Sequence, residues 1–388
     1  MNMERLNVFF ILILLLPVLT ECKKKEVDIV YDRKYIKEIK ETRNQLAAYM
    51  TRNFIPGGNF AIALDGQLIY SEGLGLASKE LNVRANRNTK FRIAEISELY
   101  TSMVYQMMVE EGILNPDSSI QYYLPDFPDK GFKITVRDLA YHTSGIRNPN
   151  EDYSAASSLQ KSIDNFKNDE LVNKPGFFQD PSPFNYDLLG AIMEKASGKS
   201  FARLLKEFLT DTLGMANTEV DNPSKIISNR SDFFEFNLIA QITNALPIDL
   251  SSRAPSKGIL STAEDMVKFG NAILASETLP VGLKKRLFEP IELKSQLPAN
   301  IANGWIVSKS TDGRRIWGLT GGVKGGGGAL LIFPDEKLVI AGAINLTANI
   351  DNIPVFEMAK LFLPESPVDS TNVNTTEKTP QLGDATQQ

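Results

Sequence analysis

Two glutamates three residues apart, Glu95 and Glu98, begin a segment with helical periodicity. Side chains at positions i and i+3 share one face of a helix, so the two carboxylates are predicted to lie one turn apart. Close carboxylates can carry out acid/base chemistry, as in glycosidases, or hold a hard cation such as calcium. Acids near a helix N-terminus also favour the helix dipole. The two glutamates therefore either form an acid/base or cation site or simply stabilise the start of the helix.

Histidine and cysteine chemistry is restricted by composition. His142 is the only histidine and Cys22 the only cysteine. A zinc site of the Cys/His kind cannot be assembled from them, and neither a metal nor another cofactor is predicted. A Ser-His-Asp triad would need His142, but no G-x-S-x-G elbow accompanies it. We expect a structural hydrogen bond for His142.

Two serines, Ser97 and Ser158, are candidates for an alternative nucleophile. Ser97 lies about 200 degrees around the helix from Glu95, so it is predicted to point away from any site there. Ser158 and Lys161 form a literal Ser-x-x-Lys within a polar segment. We interpret that match as chance.

Hydrophobic periodicity places strands near both chain ends and helices between them. Asp65-Gly66 separates two short apolar runs and predicts a β-hairpin, while Gly112 and Gly198 are interpreted as helix stops. Predicted helices cover 26–53, 95–111, 134–139, 186–196, 201–209, 262–274 and 353–363, and predicted strands cover 59–63, 67–72, 314–318, 329–333 and 338–344. This pattern indicates an α+β fold, with an antiparallel sheet flanked by helices and an all-helical subdomain inserted.

Composition excludes some partners. The chain has 388 residues, 43% of them apolar, which is enough to bury a large core. Its net charge of −5 carries no basic excess for nucleic acid, so nucleic-acid binding is not predicted.

The N-terminus predicts export. Residues 1–22 combine Arg5, an apolar run from Leu6 to Thr20, and Cys22. Leu19-Thr20-Glu21-Cys22 resembles a bacterial lipobox, although Glu21 departs from the small residue usual at that position, and an ordinary signal peptide is the alternative. We therefore expect an exported protein of the periplasm or outer envelope, held to the membrane by lipid on Cys22. Residues 23–44 are predicted as a linker or helix, and residues 364–388 as a disordered tail.

Ordered phrases between residues 45 and 363 identify a family resemblance. They are I-P-G-G at 55–58, T-K-F-R-I-A at 89–94, E-E-G-I-L at 110–114, I-T-V-R-D-L-A-Y-H-T-S-G-I at 134–146, D-L-L-G-A-I-M-E-K-A-S-G at 187–198, L-G-M at 213–215 and G-I-L-S-T-A-E-D-M at 258–266. In this order they resemble the serine β-lactamase and penicillin-binding-protein superfamily, in its class C and D,D-peptidase-like branch. The resemblance implies a sheet subdomain (about 45–94 and 300–363) and a helical subdomain (about 95–299) around one cleft.

The catalytic groups that the resemblance implies are missing. The family's Ser-x-x-Lys, its Tyr-x-Asn and the basic residue of its third element fall on Glu95 and Glu98, on Pro181-Ser182-Pro183, and on Leu319 before Thr320-Gly321. Catalytic groups that act as a unit fail together. Loss of the family's acyl-enzyme chemistry is therefore predicted.

A sharper hypothesis concerns what fills the cleft. The resemblance implies an oxyanion hole formed by the N–H groups of Glu95 and Gly322, and we expect the Glu95 carboxylate to occupy it, with Lys324 as its cation. Glu98, Ser182, Thr320 and Gly321 are the other predicted cleft residues.

Three functional hypotheses follow. The first is a non-catalytic envelope protein that binds a peptide, glycan or protein, and the resemblance implies peptidoglycan-like ligands. The second is an active esterase or peptidase with an atypical nucleophile or a Glu95/Glu98 acid/base pair. The third is a purely structural envelope component with a closed cleft.

Overall fold

The computed structural model describes residues 28–149, 158–275, 279–280, 282–347 and 353–365. The predicted signal peptide, Cys22 and the tail from residue 366 lie outside the described residues. No helix within the described ranges is both long and apolar enough to span a bilayer.

The strands are β1 (Ile29–Tyr31), β2 (Gly57–Leu64), β3 (Gln67–Ser78), β4 (Val83–Arg84), β5 (Phe91–Arg92), β6 (Glu219–Val220), β7 (Phe234–Phe236), β8 (Ile242–Asn244), β9 (Ile259–Ser261), β10 (Ile301–Ala302), β11 (Trp305–Lys309), β12 (Arg315–Val323), β13 (Gly326–Phe333) and β14 (Leu338–Ile344). The helices are α1 (Ile36–Arg52), α2 (Ile96–Glu110), α3 (Ile120–Tyr123), α4 (Val136–Ala140), α5 (Leu159–Asp164), α6 (Pro183–Ser197), α7 (Phe201–Leu205), α8 (Asp211–Leu213), α9 (Ala263–Leu274), α10 (Leu283–Phe288) and α11 (Val355–Lys360). Short 3₁₀ turns cover Arg33–Tyr35 and Ser251–Arg253, and a π turn covers Lys206–Thr210.

The main sheet has nine strands, in the order β1-β3-β2-β14-β13-β12-β11-β10 with β4 added to β3. Each neighbouring pair is antiparallel. Both ends of the chain contribute strands, and the helices α2 to α8 come from the segment between them. The predicted α+β fold, with an antiparallel sheet flanked by helices, is confirmed.

Both faces of the sheet are covered. Along β14, Val339 and Ala341 face a core shared with α9 and the helical subdomain, whereas Ile340 faces a second core shared with α1 and α11. A strand buried on both faces needs apolar side chains in both directions. This explains why β14 is an unbroken apolar run.

The turn and stop signals were confirmed. Asp65 and Gly66 join β2 to β3 with φ values of 50° and 77°, which is the backbone that a tight hairpin requires. Gly112 and Gly198 adopt φ values of 70° and 68° just after α2 and α6.

Several elements differ from the sequence-based expectations. The segment predicted as a linker or helix holds β1 and the first half of α1. The region expected to be all helical also contains a three-stranded sheet, β5-β9-β6, and the hairpin β7–β8. The helix predicted over 201–209 is interrupted by the π turn, and the helix predicted over 353–363 is shorter.

Candidate functional site

The Glu95 carboxylate joins the start of α2 to the end of β12. Its Oε2 accepts a hydrogen bond of 2.8 Å from the N–H of Gly322, and its Oε1 lies 2.5 Å from Nζ of Lys257. Ala94, just before it, has a φ of 50°, which is unusual for alanine and turns the chain from β5 into α2. The expected contact between Glu95 and the Gly322 N–H is therefore present.

Gly321 permits this close approach. A Cβ added at Gly321 would lie 2.4 Å from the Glu95 nitrogen and 2.5 Å from its Oε2. Neither atom can move aside easily, since one is backbone and the other belongs to a carboxylate whose two oxygens are each held by a partner. The glycine at this position is thus required by contact between helix and strand.

A cation that the sequence did not suggest lies beside Glu95. Lys257 makes this ion pair, and the expected pairing of Lys324 with Glu95 stays a prediction. Lys324 directly follows β12, and its carbonyl accepts a hydrogen bond of 2.7 Å from the Arg92 side chain of β5. Lys257 directly precedes the phrase at 258–266, and this adjacency is the signal in the sequence that points to it.

Glu98 points to a different partner. Its Oε2 lies 3.3 Å from Nε2 of His142, and both side chains are buried. Nδ1 of His142 accepts hydrogen bonds from the Ser182 N–H at 3.2 Å and from the Asn185 amide at 3.1 Å. The Asn185 orientation follows from Ser144, whose hydroxyl donates to its Oδ1. Because Nδ1 accepts in this network, Nε2 of His142 carries a hydrogen and donates a hydrogen bond to Glu98.

Burial raises the pKa of Glu98 above its usual value. The hydrogen bond from His142 and the charge of Lys257 act in the opposite direction, while the negative charge of Glu95 adds to the increase. Because Glu95 faces Lys257 and Glu98 faces His142, the two carboxylates do not present one shared site. The geometry thus disfavours a glycosidase-like pair and a shared cation.

The segment 181–183, where the resemblance placed the Tyr-x-Asn, leads into the start of α6. Ser182 caps α6: its Oγ accepts from the Phe184 N–H at 3.3 Å and donates to the Arg147 carbonyl at 2.8 Å. Pro183 takes the first position of α6, where a missing N–H costs nothing. Pro181 precedes Ser182, and its side chain has no group that could transfer a proton.

On β12, Leu319 and Thr320 pair with Leu330 and Ala329 of β13. Leu319 packs against the core that lies on the helical side of the sheet. Oγ1 of Thr320 is buried and, within the described part of the chain, has no hydrogen-bond partner. Leu319 therefore brings an uncharged, apolar side chain to this position of β12.

Both alternative serines have structural roles. Ser97 is fully buried, and its Oγ accepts from the N–H of Ile259 at 3.2 Å. Ser158 caps α5 by accepting from the N–H of Lys161. Both serines thus bond to backbone N–H groups, and the hydrogen bond expected for His142 is present.

The model of the family described as Beta-lactamase matches residues 42–353. The chain belongs to the beta-lactamase family. This membership accounts for the fold. It does not by itself establish an activity, because function depends on the side chains of the site.

Known relatives span most of the chain. The human mitochondrial serine beta-lactamase-like protein LACTB is 27% identical over 78% of this chain and 73% of its own length. Penicillin-binding protein 4* of Bacillus subtilis is 25% identical over 72% of this chain and 66% of its own length.

Solved structures share the fold of this family member. The octameric penicillin-binding protein homologue from Pyrococcus abyssi superposes with a TM-score of 0.74 at 20% identity, over 84% of this chain and 77% of its own. FmtA from Staphylococcus aureus has a TM-score of 0.73 at 20% identity, over 90% of this chain and 96% of its own.

Proposed function

We propose that this beta-lactamase family member is a non-catalytic protein of the bacterial cell envelope that binds a peptide, glycan or protein ligand. The observation that carries the proposal is the Glu95 carboxylate, held at once by the Gly322 N–H and by Lys257.

Glu95 opposes the family's chemistry in two ways. The site has no hydroxyl at the nucleophile position, and an acyl-enzyme cannot form there by the family's route. The carboxylate also occupies the Gly322 N–H, a donor that would otherwise stabilise the negative oxygen of a transition state. A fixed negative charge at that point repels such an oxygen.

The base is missing as well. The lysine slot holds Glu98, which is bonded to His142 inside the protein, and the third element offers Leu319 instead of a cation. A hydrolase that used Glu95 and Glu98 together would need both to face one substrate, and they face different partners. We therefore favour binding over hydrolysis.

The envelope assignment rests on the sequence of the N-terminus and on relatives. The lipobox-like segment ending at Cys22 supports export and lipid anchoring. Relatives named as penicillin-binding proteins support a ligand with the chemistry of cell-wall peptides.

The test is covalent labelling. Purified protein treated with a fluorescent penicillin, and separately with a fluorophosphonate, is expected to keep its unmodified intact mass. A stoichiometric adduct with either probe would contradict the non-catalytic proposal.

A matched control uses the same chain with Glu95→Ser, Glu98→Lys, Pro181→Tyr and Leu319→His combined. If the cleft is otherwise preserved, this variant is expected to regain labelling with the fluorescent penicillin. Labelling of the combined variant together with an unlabelled parent shows that the probe can reach the cleft, so that the parent's lack of labelling reports on chemistry and not on access.

A further inference from the structure

One end of the main sheet carries exposed apolar side chains on two turns. Leu81 and Val83 lie on the turn and strand that follow β3, and Leu238 and Ile239 lie at the tip of the hairpin β7–β8, next to Phe236. Leu238 is fully exposed, while Leu81 and Ile239 are 74% and 73% exposed. We call these five residues the apolar end.

Strand registers place both turns at the same end of the sheet. In the antiparallel sheet, the end of β3 lies beside the start of β2, and the end of β12 lies beside the start of β13. The end of β14 lies between the starts of β2 and β13, so all of these strand ends are at one end of the sheet. The hairpin β7–β8 packs there: Asp232 donates to the Ala77 carbonyl of β3, and Phe233 lies against Gly325. Both apolar turns therefore project from this one end.

The tip of the hairpin is well built although its side chains are exposed. The N–H groups of Ile239, Ala240 and Gln241 all bond to Asn237, at distances from 2.9 to 3.1 Å. Turn tips usually carry polar residues, and this one instead presents Leu238 and Ile239. Backbone groups that are bonded within the turn lower the cost of entering an apolar medium.

The N-terminus approaches the same end. β1 runs antiparallel to β3, with Ile29 opposite Glu72 and Tyr31 opposite Tyr70, so the chain before Ile29 leads toward the end of β3. Asp28 is held there by Arg87, at 2.8 Å. Five residues separate Asp28 from Cys22, and they can span at most about 20 Å. A lipid on Cys22 would hold this end close to the bilayer.

Charge at the apolar end is mixed and partly basic. Lys79 and Arg84 are exposed beside Leu81, and Glu80 is an exposed acid in the same turn. Lys23, Lys24 and Lys25 follow Cys22 directly. Basic residues around apolar tips suit an anionic bilayer surface. Convex tips, unlike a groove, also suit insertion into lipid.

We propose that the apolar end lies against a lipid bilayer, with Leu238 and Ile239 inserted among the headgroups and upper acyl chains. This inference rests on the proposed anchoring at Cys22. It sets the orientation of the protein at the membrane, because β12 and its contact with Glu95 are close to the same end of the sheet.

The test uses the full chain, reconstituted into phosphatidylethanolamine and phosphatidylglycerol vesicles with brominated acyl chains. The reporter is Leu238→Trp, since the native Trp305 and Trp317 are buried. The matched control is Tyr122→Trp, an exposed position on α3 in the helical subdomain. Ile239→Trp is a second reporter in case the first disturbs the turn.

We expect the emission of the Leu238→Trp variant to shift to the blue and to lose most of the added intensity in brominated vesicles, while that of Tyr122→Trp is unchanged. If vesicle-bound Leu238→Trp is quenched only by a water-soluble quencher, the inference is overturned and the anchoring stays intact. Failure to sediment with vesicles overturns both. A blue shift that grows with protein concentration without lipid indicates that a second copy covers the apolar end, and this too overturns the inference.

Discussion

At the start of α2, the Glu95 side chain is long enough to reach two partners at once. Its two oxygens bind separate partners, the Gly322 N–H and Lys257. The side chains of Glu95 and Lys257 are 24% and 17% exposed, so the pair is partly shielded from water. Such a pair is expected to add modestly to stability while it keeps the cleft occupied.

A double-mutant cycle measures this contact. Glu95→Gln keeps an acceptor for the Gly322 N–H but removes the charge, and Lys257→Met removes the cation. We expect a coupling energy on the order of 1 kcal/mol between the two substitutions, from urea unfolding. Strictly additive effects would show that the ion pair contributes nothing.

Glu98 predicts a pH dependence. Burial raises its pKa in the folded protein above the unfolded value, so the folded state holds the proton more tightly. The stability that Glu98 contributes is present below its pKa in the unfolded chain and is lost as the pH rises through its pKa in the folded protein. Glu98→Gln cannot ionise, so it removes this pH-dependent loss of stability and keeps an oxygen that accepts from His142.

We therefore expect the free energy of unfolding of Glu98→Gln, relative to the parent, to increase as the pH rises above the ordinary glutamate pKa of about 4. Urea titrations at several pH values measure it. A difference that does not vary with pH would contradict the assigned ionisation of Glu98.

At the scale of elements, α6 is tied to the segment before β9 by a buried ion pair. Asp187 accepts from Arg253 and from the Ser256 hydroxyl, each at 2.6 Å, and both charged side chains are fully buried. Burial raises the pKa of Asp187, while the charge of Arg253 lowers it. The pair holds α6, and with it Ser182 and Asn185, beside α2.

Removing one partner leaves an uncompensated buried charge. Arg253→Met is expected to cost about 3–5 kcal/mol of stability, measured by chemical unfolding. The exposed pair Arg137–Asp117 is the control, and Arg137→Met is expected to cost less than about 1 kcal/mol. Equal costs for the two variants would contradict the role given to burial.

Helices and strands whose apolar residues recur at a regular spacing were predicted from the sequence, and those without such a spacing were not. The helix α2 and the strand β14 were placed within a residue at each end, because their apolar residues repeat clearly. The strands β12 and β13 were predicted too short. Their glycines, such as Gly321 opposite Gly328, have no side chains that could show alternation. The strands β5, β6 and β9 are too short to show a period.

At the scale of the whole molecule, anchoring would decide where the cleft works. We predict that Cys22 is lipidated after export, as the lipobox-like segment indicates. In a bacterial host fed labelled palmitate, the parent is expected to carry label and sediment with membranes, and Cys22→Ala to lose both properties. Label retained on Cys22→Ala would contradict the prediction.

Sequence by itself determined the family and the α+β architecture, because ordered phrases and periodic apolar residues are local features. It also indicated that Glu95 would meet Gly322. Only the tertiary structure decided that Lys257 pairs with Glu95, that Glu98 pairs with His142, and that two apolar turns share one end of the sheet. These contacts join residues far apart in the chain, and which of several candidate partners lies within reach depends on how strands and helices pack.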